Sequence, residues 1–337
     1  MAPAPVGGVL CTGNIVLDIL VRPVTQPKWG ATCWVDSIEQ QLGGNGANTS
    51  FALGRLGVPI RLAGYIGDEA FGDYAVARLA SVGVDITRLV RCQSPTAVTV
   101  ALVNSEGERA LLHRPGASLD AFPEPVEFTA DLIAGCKHYH LANPYALPNM
   151  RRHAAECLRR AIAAGLTTSV DTGWDTRGEW MGVLAACLPC TGLLFVNEDE
   201  ARMLTGAPDY PAAARQLLAA GTSIVVVKLA ARGCAVFRGS LPGPAISGWL
   251  GCSSHISEEE SQFEVPAFDV PVMDTTGAGD CFVAGFLAAL LRGTGLRAAA
   301  RFANAVAALS VTGLGAAQGL RGYSETLDWM AAAGLRA

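Results

Sequence analysis

The feature that most constrains this chain is a glycine-rich stretch near its C-terminus that opens a strongly apolar segment. Residues 272–280 read Val-Met-Asp-Thr-Thr-Gly-Ala-Gly-Asp, and Cys281 to Leu291 are almost wholly apolar. The apolar run predicts a buried helix that ends at Gly293, because glycine commonly follows a helix C-terminus. The stretch before it predicts the end of a strand and a tight turn into that helix.

This glycine turn predicts a phosphate site beside a carboxylate. The first backbone N–H groups of a helix have no partners within it, and Gly277, Ala278 and Gly279 carry almost no side chain to cover them. Such N–H groups form a concave anion site. The adjacent Asp280 would repel a phosphate, unless it accepts a proton from the hydroxyl that attacks phosphorus. The alternative is an ordinary helix N-cap aspartate.

A second glycine turn lies near the N-terminus. Residues 42–49 read Leu-Gly-Gly-Asn-Gly-Ala-Asn-Thr and open an apolar segment, Phe51 to Leu56. This turn again predicts the start of a helix. Two side-chain amides, Asn45 and Asn48, could hydrogen-bond sugar hydroxyls there.

Together the two turns resemble the signatures of the ribokinase-like (PfkB) carbohydrate kinase family, Gly-Gly-x-Gly-x-Asn and Asp-Thr-x-Gly-Ala-Gly-Asp. Their order and separation also fit, and the resemblance covers roughly Val9 to Trp329. It implies an α/β fold of three layers, with a mainly parallel sheet between helices and a small β lid, as a single kinase domain over residues 1–337. It also implies ATP-dependent transfer of the γ-phosphate to a hydroxyl of a sugar or sugar-like substrate.

The resemblance further implies the roles of individual residues. Asp280 would be the catalytic base, Gly277, Ala278 and Gly279 would stabilise the transferred phosphoryl group, and Asp18 would bind sugar hydroxyls. The other expected substrate-binding residues are Asn14, Gly43, Gly44, Asn48 and Asn143. The expected nucleotide-binding residues are Asn197, Lys228, Thr275, Gly277, Gly279 and Asn304.

Ion binding is implied at two places. Asn197 and Glu200 would hold Mg²⁺ through water, since Mg²⁺ keeps several waters and takes few protein oxygens; the alternative is a plain acidic helix N-terminus. Asp274 and Thr276 would contribute to a site for a monovalent cation such as K⁺, formed with the segment 310–316 and largely by backbone oxygens.

Three positions depart from the family pattern. Ribose-specific members have Asn where this chain has Val16, and Lys where it has Asn45. Both differences argue against ribose itself as the substrate. Many members also have Gly at the position of Ala230, so the approach of the backbone to the nucleotide is expected to differ.

The middle of the chain alternates short apolar runs with helical patterns, which predicts a mainly parallel sheet covered on both faces. Strands are predicted at 9–20, 60–66, 137–141, 166–171, 193–197 and 224–229. Helices are predicted at 71–82, 150–164, 198–205, 212–220, 281–291 and 296–309. Ligands bind beyond the carboxyl ends of strands in such sheets. The polar residues expected to converge at these ends are Asp18, Asn143, Asp171, Asn197 and Lys228.

Two further regions stand apart from this alternation. The resemblance implies a lid over the sugar formed by 32–43 and 96–115, with strands at 32–41, 96–103 and 109–113, which would also be the surface of a homodimer. Residues 239–262 are rich in Gly, Pro and Ser and contain three consecutive glutamates, which predicts a surface insertion between two strands.

Composition and missing motifs exclude several classes of function. The 337 residues carry a net charge of −5 without a basic block, which argues against nucleic-acid binding. The N-terminus lacks the positive region of a signal peptide, and the run Cys281 to Leu291 is shorter than the ~20 residues that cross a bilayer. A cytoplasmic protein with no membrane contact is therefore expected.

Motifs of other nucleotide-binding classes are missing as well. No Gly-x-x-x-x-Gly-Lys-Ser/Thr occurs, and no Gly-x-Gly-x-x-Gly follows the first strand, which excludes a P-loop kinase and argues against a dinucleotide-dependent oxidoreductase. Two alternatives remain: a nucleoside kinase of the same family and a non-catalytic sugar-binding regulator. Cys187 and Cys190 have metal or redox spacing, and His138 and His140 share a strand face, but packing is the favoured interpretation of both pairs.

Overall fold

The fold is that of a computed structural model, which describes residues 7–239, 246, 261–315 and 318–336. The strands are β1 (Gly8–Gly13), β2 (Val16–Arg22), β3 (Ser37–Gly43), β4 (Ile60–Gly67), β5 (Asp85–Cys92), β6 (Ala97–Val103), β7 (Arg109–Arg114), β8 (Cys136–Ala142), β9 (Thr167–Asp171), β10 (Leu193–Asn197), β11 (Ile224–Lys228), β12 (Cys234–Arg238) and β13 (Gln262–Val265). The α-helices are Asn45–Arg55, Ala70–Ala80, Met150–Ala163, Met181–Leu184, Glu198–Thr205, Tyr210–Ala219, Ala278–Leu290, Leu296–Ser310 and Tyr323–Ala332.

Nine strands form the main sheet, in the order β13-β12-β11-β10-β9-β8-β1-β4-β5. Every neighbouring pair from β11 to β5 is parallel, and only β12 and β13 at one edge are antiparallel. The chain leaves β1 towards β4 and β5, and then returns to the other side of β1 through β8. Between β1 and β8 the order therefore reverses, which is where an open α/β sheet has its ligand crevice.

Both faces of the main sheet are buried, as the short apolar strands predict. Val9 and Cys11 of β1 pack into one core with the helices Asn45–Arg55, Ala278–Leu290 and Leu296–Ser310. The intervening Leu10 packs into a second core on the other face, with the helices Met150–Ala163, Glu198–Thr205 and Tyr210–Ala219. The expected layered α/β fold is confirmed.

A second sheet of four strands, in the order β3-β2-β6-β7, forms the lid. The predicted lid strands 96–103 and 109–113 are present, but the strand predicted at 32–41 begins only at Ser37 and ends at Gly43. The prediction of a single strand over 9–20 is wrong. The run divides at Asn14-Ile15: β1 belongs to the main sheet, whereas β2 pairs with β3 and β6 near the centre of the lid. Both halves are apolar, and only their distant pairing partners distinguish them.

The predicted insertion 239–262 joins two strands, as expected, because β12 and β13 pair antiparallel on either side of it. Apart from Gly239, Ile246, Ser261 and Gln262, this segment lies outside the described residues. In the described part of the chain, no helix has the length and apolar character needed to span a membrane.

Candidate active site

Polar residues form a row along the carboxyl edge of the main sheet. Asn14 follows β1, Asn143 follows β8, and Asp171 and Asn197 end β9 and β10. Lys228 ends β11, the next strand in the same order. Four of the five residues predicted to converge are therefore placed on this edge. The fifth, Asp18, lies in the lid, because β2 is not part of the main sheet.

The glycine turn of 274–279 opens the helix Ala278–Leu290 beside this edge. Gly277 is the N-cap, with a φ of 70° that favours glycine. The Ala278 N–H donates to the Thr275 carbonyl oxygen at 3.2 Å. Asp280 lies in the first turn and makes no capping hydrogen bond, so the N-cap interpretation of Asp280 is wrong.

The Asp280 carboxylate is buried and held by two amides. Asn45 Nδ2 donates to Oδ1 at 2.8 Å, and Asn48 Nδ2 donates to Oδ2 at 2.9 Å. Asn143 Nδ2 in turn donates to Asn45 Oδ1 at 2.9 Å. Burial raises the pKa of Asp280, while the hydrogen bonds from Asn48 and Asn45 and the charge of Lys228 oppose this rise. The result is an oriented carboxylate with a strengthened affinity for a proton.

The N-terminal glycine turn positions these amides. Asn14 Oδ1 accepts the Asn45 N–H at 3.0 Å, which fixes the start of the helix Asn45–Arg55. Gly44 has a φ of 88°, and a Cβ there would lie 2.6 Å from the Asn14 carbonyl oxygen. Glycine is therefore required where this turn passes the end of β1. In these contacts Asn14 and Gly44 act by positioning the helix start.

Asp18 faces the site from the lid. A Cβ on Gly43 would lie 2.1 Å from Asp18 Oδ2, so this glycine leaves the space that the carboxylate occupies. Burial raises the pKa of Asp18 to about 6, against the effect of a Thr99 hydrogen bond and the Arg109 charge. The Asp280 carboxylate is close enough for Asp18 to raise its pKa as well. The two aspartates thus border one space between the lid and the main sheet.

A cavity of about 340 Å³ opens on the other side of the glycine turn. Four of the six residues predicted to bind nucleotide line it, namely Lys228, Thr275, Gly279 and Asn304. Asn304 Nδ2 donates to the Val265 carbonyl oxygen at 2.9 Å, so its amide also holds the wall. The remaining wall is mainly apolar and includes Phe268, Val270, Val272, Ala307, Ala308 and Val311.

Ala230 lines the same cavity with a φ of 52°, in the left-handed region that favours glycine. Ala230 therefore holds a backbone conformation that glycine would adopt at less cost.

Acidic groups surround Lys228 between the cavity and Asp280. Lys228 Nζ donates to Asp171 Oδ1 at 2.7 Å. Burial would lower the pKa of Lys228, but the charges of Asp171, Glu200 and Asp280 raise it overall. One ammonium group thus faces three carboxylates, a surplus of negative charge that suits a divalent cation.

Asn197 and Glu200 form a capping box at the start of the helix Glu198–Thr205. Asn197 Oδ1 accepts the Glu200 N–H at 2.7 Å, and Glu200 Oε2 accepts the Asn197 N–H at 2.8 Å. Throughout the described ranges, no group of three His, Cys, Asp or Glu side chains is placed to hold a metal directly. These oxygens therefore fit Mg²⁺ only through water and nucleotide phosphates.

Both carboxylate oxygens of Asp274 accept hydrogen bonds. Its Oδ1 accepts the N–H of Thr276 at 2.9 Å and the hydroxyl of Thr276 at 2.7 Å. Arg109 of the lid donates to the same oxygen, and the Gly315 N–H donates to Oδ2 at 2.9 Å. The segment after 310 thus returns to the glycine turn, as predicted. With Arg109 in place, however, these side chains do not fit a bound monovalent cation.

The histidine pair and Cys187 are buried in the protein core, and the partly buried Cys190 packs against it. Both His138 and His140 contact Ser169 Oγ through ring nitrogens, at 2.6 and 2.7 Å. Cys187 is buried, and burial raises its pKa to about 12. These contacts agree with the packing interpretation.

Three contributors to the site escaped sequence reasoning. The part of Asn45 in holding Asp280 was missed, since its amide was expected to face the sugar. The apolar cavity wall has no polar signature. Arg109 was placed only in a lid strand, although its charge next to the apolar residues 110–112 could have marked it.

Comparisons with known proteins agree with this geometry. An ATP-dependent ribose-1-phosphate kinase of Halopiger xanaduensis is 31% identical over 305 residues, which cover 90% of this chain and 91% of the relative. A deoxyribokinase of Salmonella typhi is 26% identical over 310 residues, covering 90% and 92% of the two chains.

Solved structures show the same fold. A fructokinase with bound ATP from Xylella fastidiosa has a TM-score of 0.78 at 25% identity, covering 96% of this chain and 98% of that one. The Arabidopsis thaliana ribokinase complexed with ribose and ATP has a TM-score of 0.80 at 24% identity, with the same coverage. The model of the pfkB family carbohydrate kinases matches residues 10–321. The chain therefore belongs to the PfkB family and is an ATP-dependent carbohydrate kinase.

Proposed function

We propose that this kinase phosphorylates a hydroxyl of a pentose or pentose derivative, with Asp280 as the base. The observation that carries the proposal is the position of the Asp280 carboxylate. It is buried in the first turn of the helix Ala278–Leu290, held by Asn45 and Asn48, between the lid aspartate and the apolar cavity. The relatives named for ribose 1-phosphate and deoxyribose support a pentose. Val16 and Asn45 argue against free ribose.

In the proposed reaction, the acceptor lies between Asp18 and Asp280, with ATP in the cavity lined by Lys228 and Gly279. The acceptor oxygen forms a bond to the γ-phosphorus while the bond between that phosphorus and the β,γ-bridging oxygen breaks. The hydroxyl proton passes to the Asp280 carboxylate, and ADP leaves. Asn143, which holds Asn45, keeps the carboxylate oriented during this transfer.

The glycine turn stabilises the charge on the transferred phosphoryl group. No partner within the described ranges occupies the N–H groups of Gly277 and Gly279. The Ala278 N–H must exchange its bond to the Thr275 carbonyl before it can contribute. Removal of one such donor typically costs about 10²–10³ in rate.

Mg²⁺ would be held through water by Asn197 and Glu200, beside the Asp171–Lys228 pair. When bound, it supplies charge neutralisation of the nucleotide phosphates. The adenine would lie against the apolar wall near Asn304. A K⁺ requirement is not part of this proposal, because the donors around Asp274 do not fit the ion.

The decisive variant is Asp280→Asn, which keeps the shape of the side chain but removes the proton acceptor. Turnover should fall by about 10²–10⁴, while calorimetry still detects both ligands. Both Asp280 oxygens accept amide donors in the native protein, and the new N–H₂ group faces one of them, so circular dichroism is used to show that the variant is folded. Asp209→Asn is the matched control, because Asp209 is a true N-cap that accepts the Ala212 N–H and Asn caps helices equally well. Normal turnover by Asp280→Asn would remove this residue from the mechanism.

The acceptor is identified by ATP consumption over a panel of pentoses, pentose phosphates, hexoses, sugar acids and nucleosides. A pentose or its phosphate should give the highest kcat/KM. Preference for a nucleoside would favour the nucleoside kinase alternative, and preference for a hexose would refute the pentose assignment.

We also propose that the lid forms a homodimer surface. Ile38 of β3 and Leu112 of β7 lie on the face of the lid opposite to Asp18 and are exposed by 66 and 62%, and exposed apolar side chains on one face favour an interface. Sedimentation should give a dimer, and Ile38→Ser together with Leu112→Ser should give a monomer. A wild-type monomer at micromolar concentration would refute this interface. The cytoplasmic location remains a prediction of the sequence.

A further inference from the structure

Arg109 connects the lid to the catalytic turn. It begins β7, where it pairs with Val103 across the lid hairpin. Its guanidinium leaves the lid and donates to Thr276 Oγ1 at 2.6 Å and to Asp274 Oδ1 at 2.5 Å. These partners lie some 165 positions away in sequence, directly before Gly277. One lid side chain therefore contacts the turn that is proposed to receive the phosphoryl group.

The carboxylate that Arg109 contacts needs a cation. The Asp274 side chain is 4% exposed, and Arg109 makes its one salt bridge among the residues that the structure describes. Its two oxygens also accept hydrogen bonds from Thr276 and Gly315. Arg109 is therefore the cation that balances this buried carboxylate.

A second lid contact lies beside the first. A Cβ on Gly315 would be 1.7 Å from Gln41 Oε1 of β3, so the Gln41 amide rests on the segment that donates to Asp274. Within the described ranges, Gln41 Nε2 is buried and has no hydrogen-bond partner. The Gln41 amide also carries an acceptor oxygen, which is its atom nearest to Gly315, so Gln41 does not itself exclude a cation. The Arg109 guanidinium carries only donors and a positive charge, so this group suits anionic oxygens and repels K⁺.

We propose that Arg109 is a positioning residue of this kinase, whose guanidinium supplies the positive charge at Asp274 and Thr276 that a monovalent cation would otherwise supply. Closure of the lid then sets the charge and the geometry of the glycine turn together. Turnover should accordingly not depend on K⁺. The effect on turnover rests on the proposed phosphoryl transfer, but the effect on cation binding does not.

The first test measures thermal stability and does not require enzymatic turnover. Melting temperatures of the full-length protein are compared in KCl and in tetramethylammonium chloride at equal ionic strength, the latter cation being too large for the site. Wild type should melt at the same temperature in both salts. Arg109→Ala should melt lower than wild type in tetramethylammonium and should regain part of the loss in KCl. Equal KCl stabilisation of both proteins, or none of the variant, would overturn the proposal.

The second test measures kcat and KM in the same two salts with the acceptor that the panel identifies. Wild type should change by less than about twofold. Arg109→Ala should lose about tenfold to a hundredfold in kcat in tetramethylammonium, the usual cost of one hydrogen bond to a charged group, and recover partly in KCl. Arg109→Lys should remain independent of K⁺, because its ammonium restores the charge.

Arg114→Ala is the matched control. Arg114 ends the same strand, but it donates to the Thr96 carbonyl oxygen at 3.1 Å within the lid region. Its loss should leave the response to K⁺ as in wild type. A wild-type enzyme that K⁺ activates tenfold would overturn the inference while leaving the proposed function intact. Absence of turnover with every acceptor would instead count against the proposed function, and the melting test would still decide on Arg109.

Discussion

Asp18→Asn should stabilise the protein and lower its affinity for the sugar. Burial raises the pKa of Asp18 from 3.8 to about 6, so native Asp18 holds its proton to higher pH than the unfolded chain does. The charged carboxylate therefore costs the native state about 3 kcal/mol at pH 7. The cost is fully present above pH 6 and fades as the pH falls towards 4. Asparagine carries no such cost and can still accept the Thr99 hydrogen bond.

The assay is urea unfolding of wild type and variant at pH 7 and pH 5. The gain in unfolding free energy should approach about 3 kcal/mol at pH 7 and fall to about half of that at pH 5. Sugar affinity, titrated by calorimetry, should fall while ATP affinity stays close to wild type. Loss of stability at pH 7, or a gain that does not shrink towards pH 5, would refute the reasoning. Unchanged sugar affinity would leave Asp18 with a structural role only.

Asp274→Asn serves as a control, because it should change the unfolding free energy in the opposite direction. Because the pKa of Asp274 is lowered from 3.8 to about 2, its charge stabilises the native state by about 2 kcal/mol above pH 4, and this contribution is lost as the pH falls towards 2. The variant should therefore be less stable than wild type at pH 7. The same Asp→Asn substitution would thus raise the unfolding free energy at position 18 and lower it at position 274.

Three further predictions concern the base, the cavity and the lid. Asn48→Leu removes a hydrogen bond that lowers the pKa of Asp280, so the acid limb of the kcat–pH profile should move to higher pH; an unmoved limb would contradict Asp280 as the titrating base. Ala308→Leu narrows the apolar cavity and should raise the KM for ATP severalfold without changing sugar affinity, whereas a changed sugar affinity would show that the cavity has been assigned to the wrong ligand. Sugar binding should slow hydrogen exchange in 37–43 and 97–114, and protection confined to 239–262 would place the lid elsewhere.

Much of the main sheet could be predicted from sequence because its strands are short apolar runs between well-marked helices. The predicted strand 193–197 and helix 198–205 agree with the structure to the residue. Local pattern failed at 9–20, where the run continues through two sheets. A strand's partner is fixed by distant residues, so nothing in this segment shows that its second half belongs to the lid.

The candidate site, like the fold, could be predicted only in part. Asp280 could be predicted because a carboxylate beside a glycine turn is chemically unusual. Its amide partners could be named, but not the bonds they make, since Asn45 meets Asp280 only after the chain closes over 235 positions. The wall of the cavity consists of ordinary apolar residues that any core would contain. The Arg109 contact likewise depends on how the lid rests on the main sheet.

The lid is one sheet in space but two pieces in sequence, 16–43 and 97–114, with two helices and two strands of the main domain between them. The lid of one relative therefore cannot be transferred to another, with its substrate preference, as one contiguous segment of sequence. A chimaera would need two coordinated splices, one of them between β1 and β2, where two residues, Asn14 and Ile15, join the sheets. In natural descent the same constraint favours change of preference by single substitutions within the lid over recombination of whole segments.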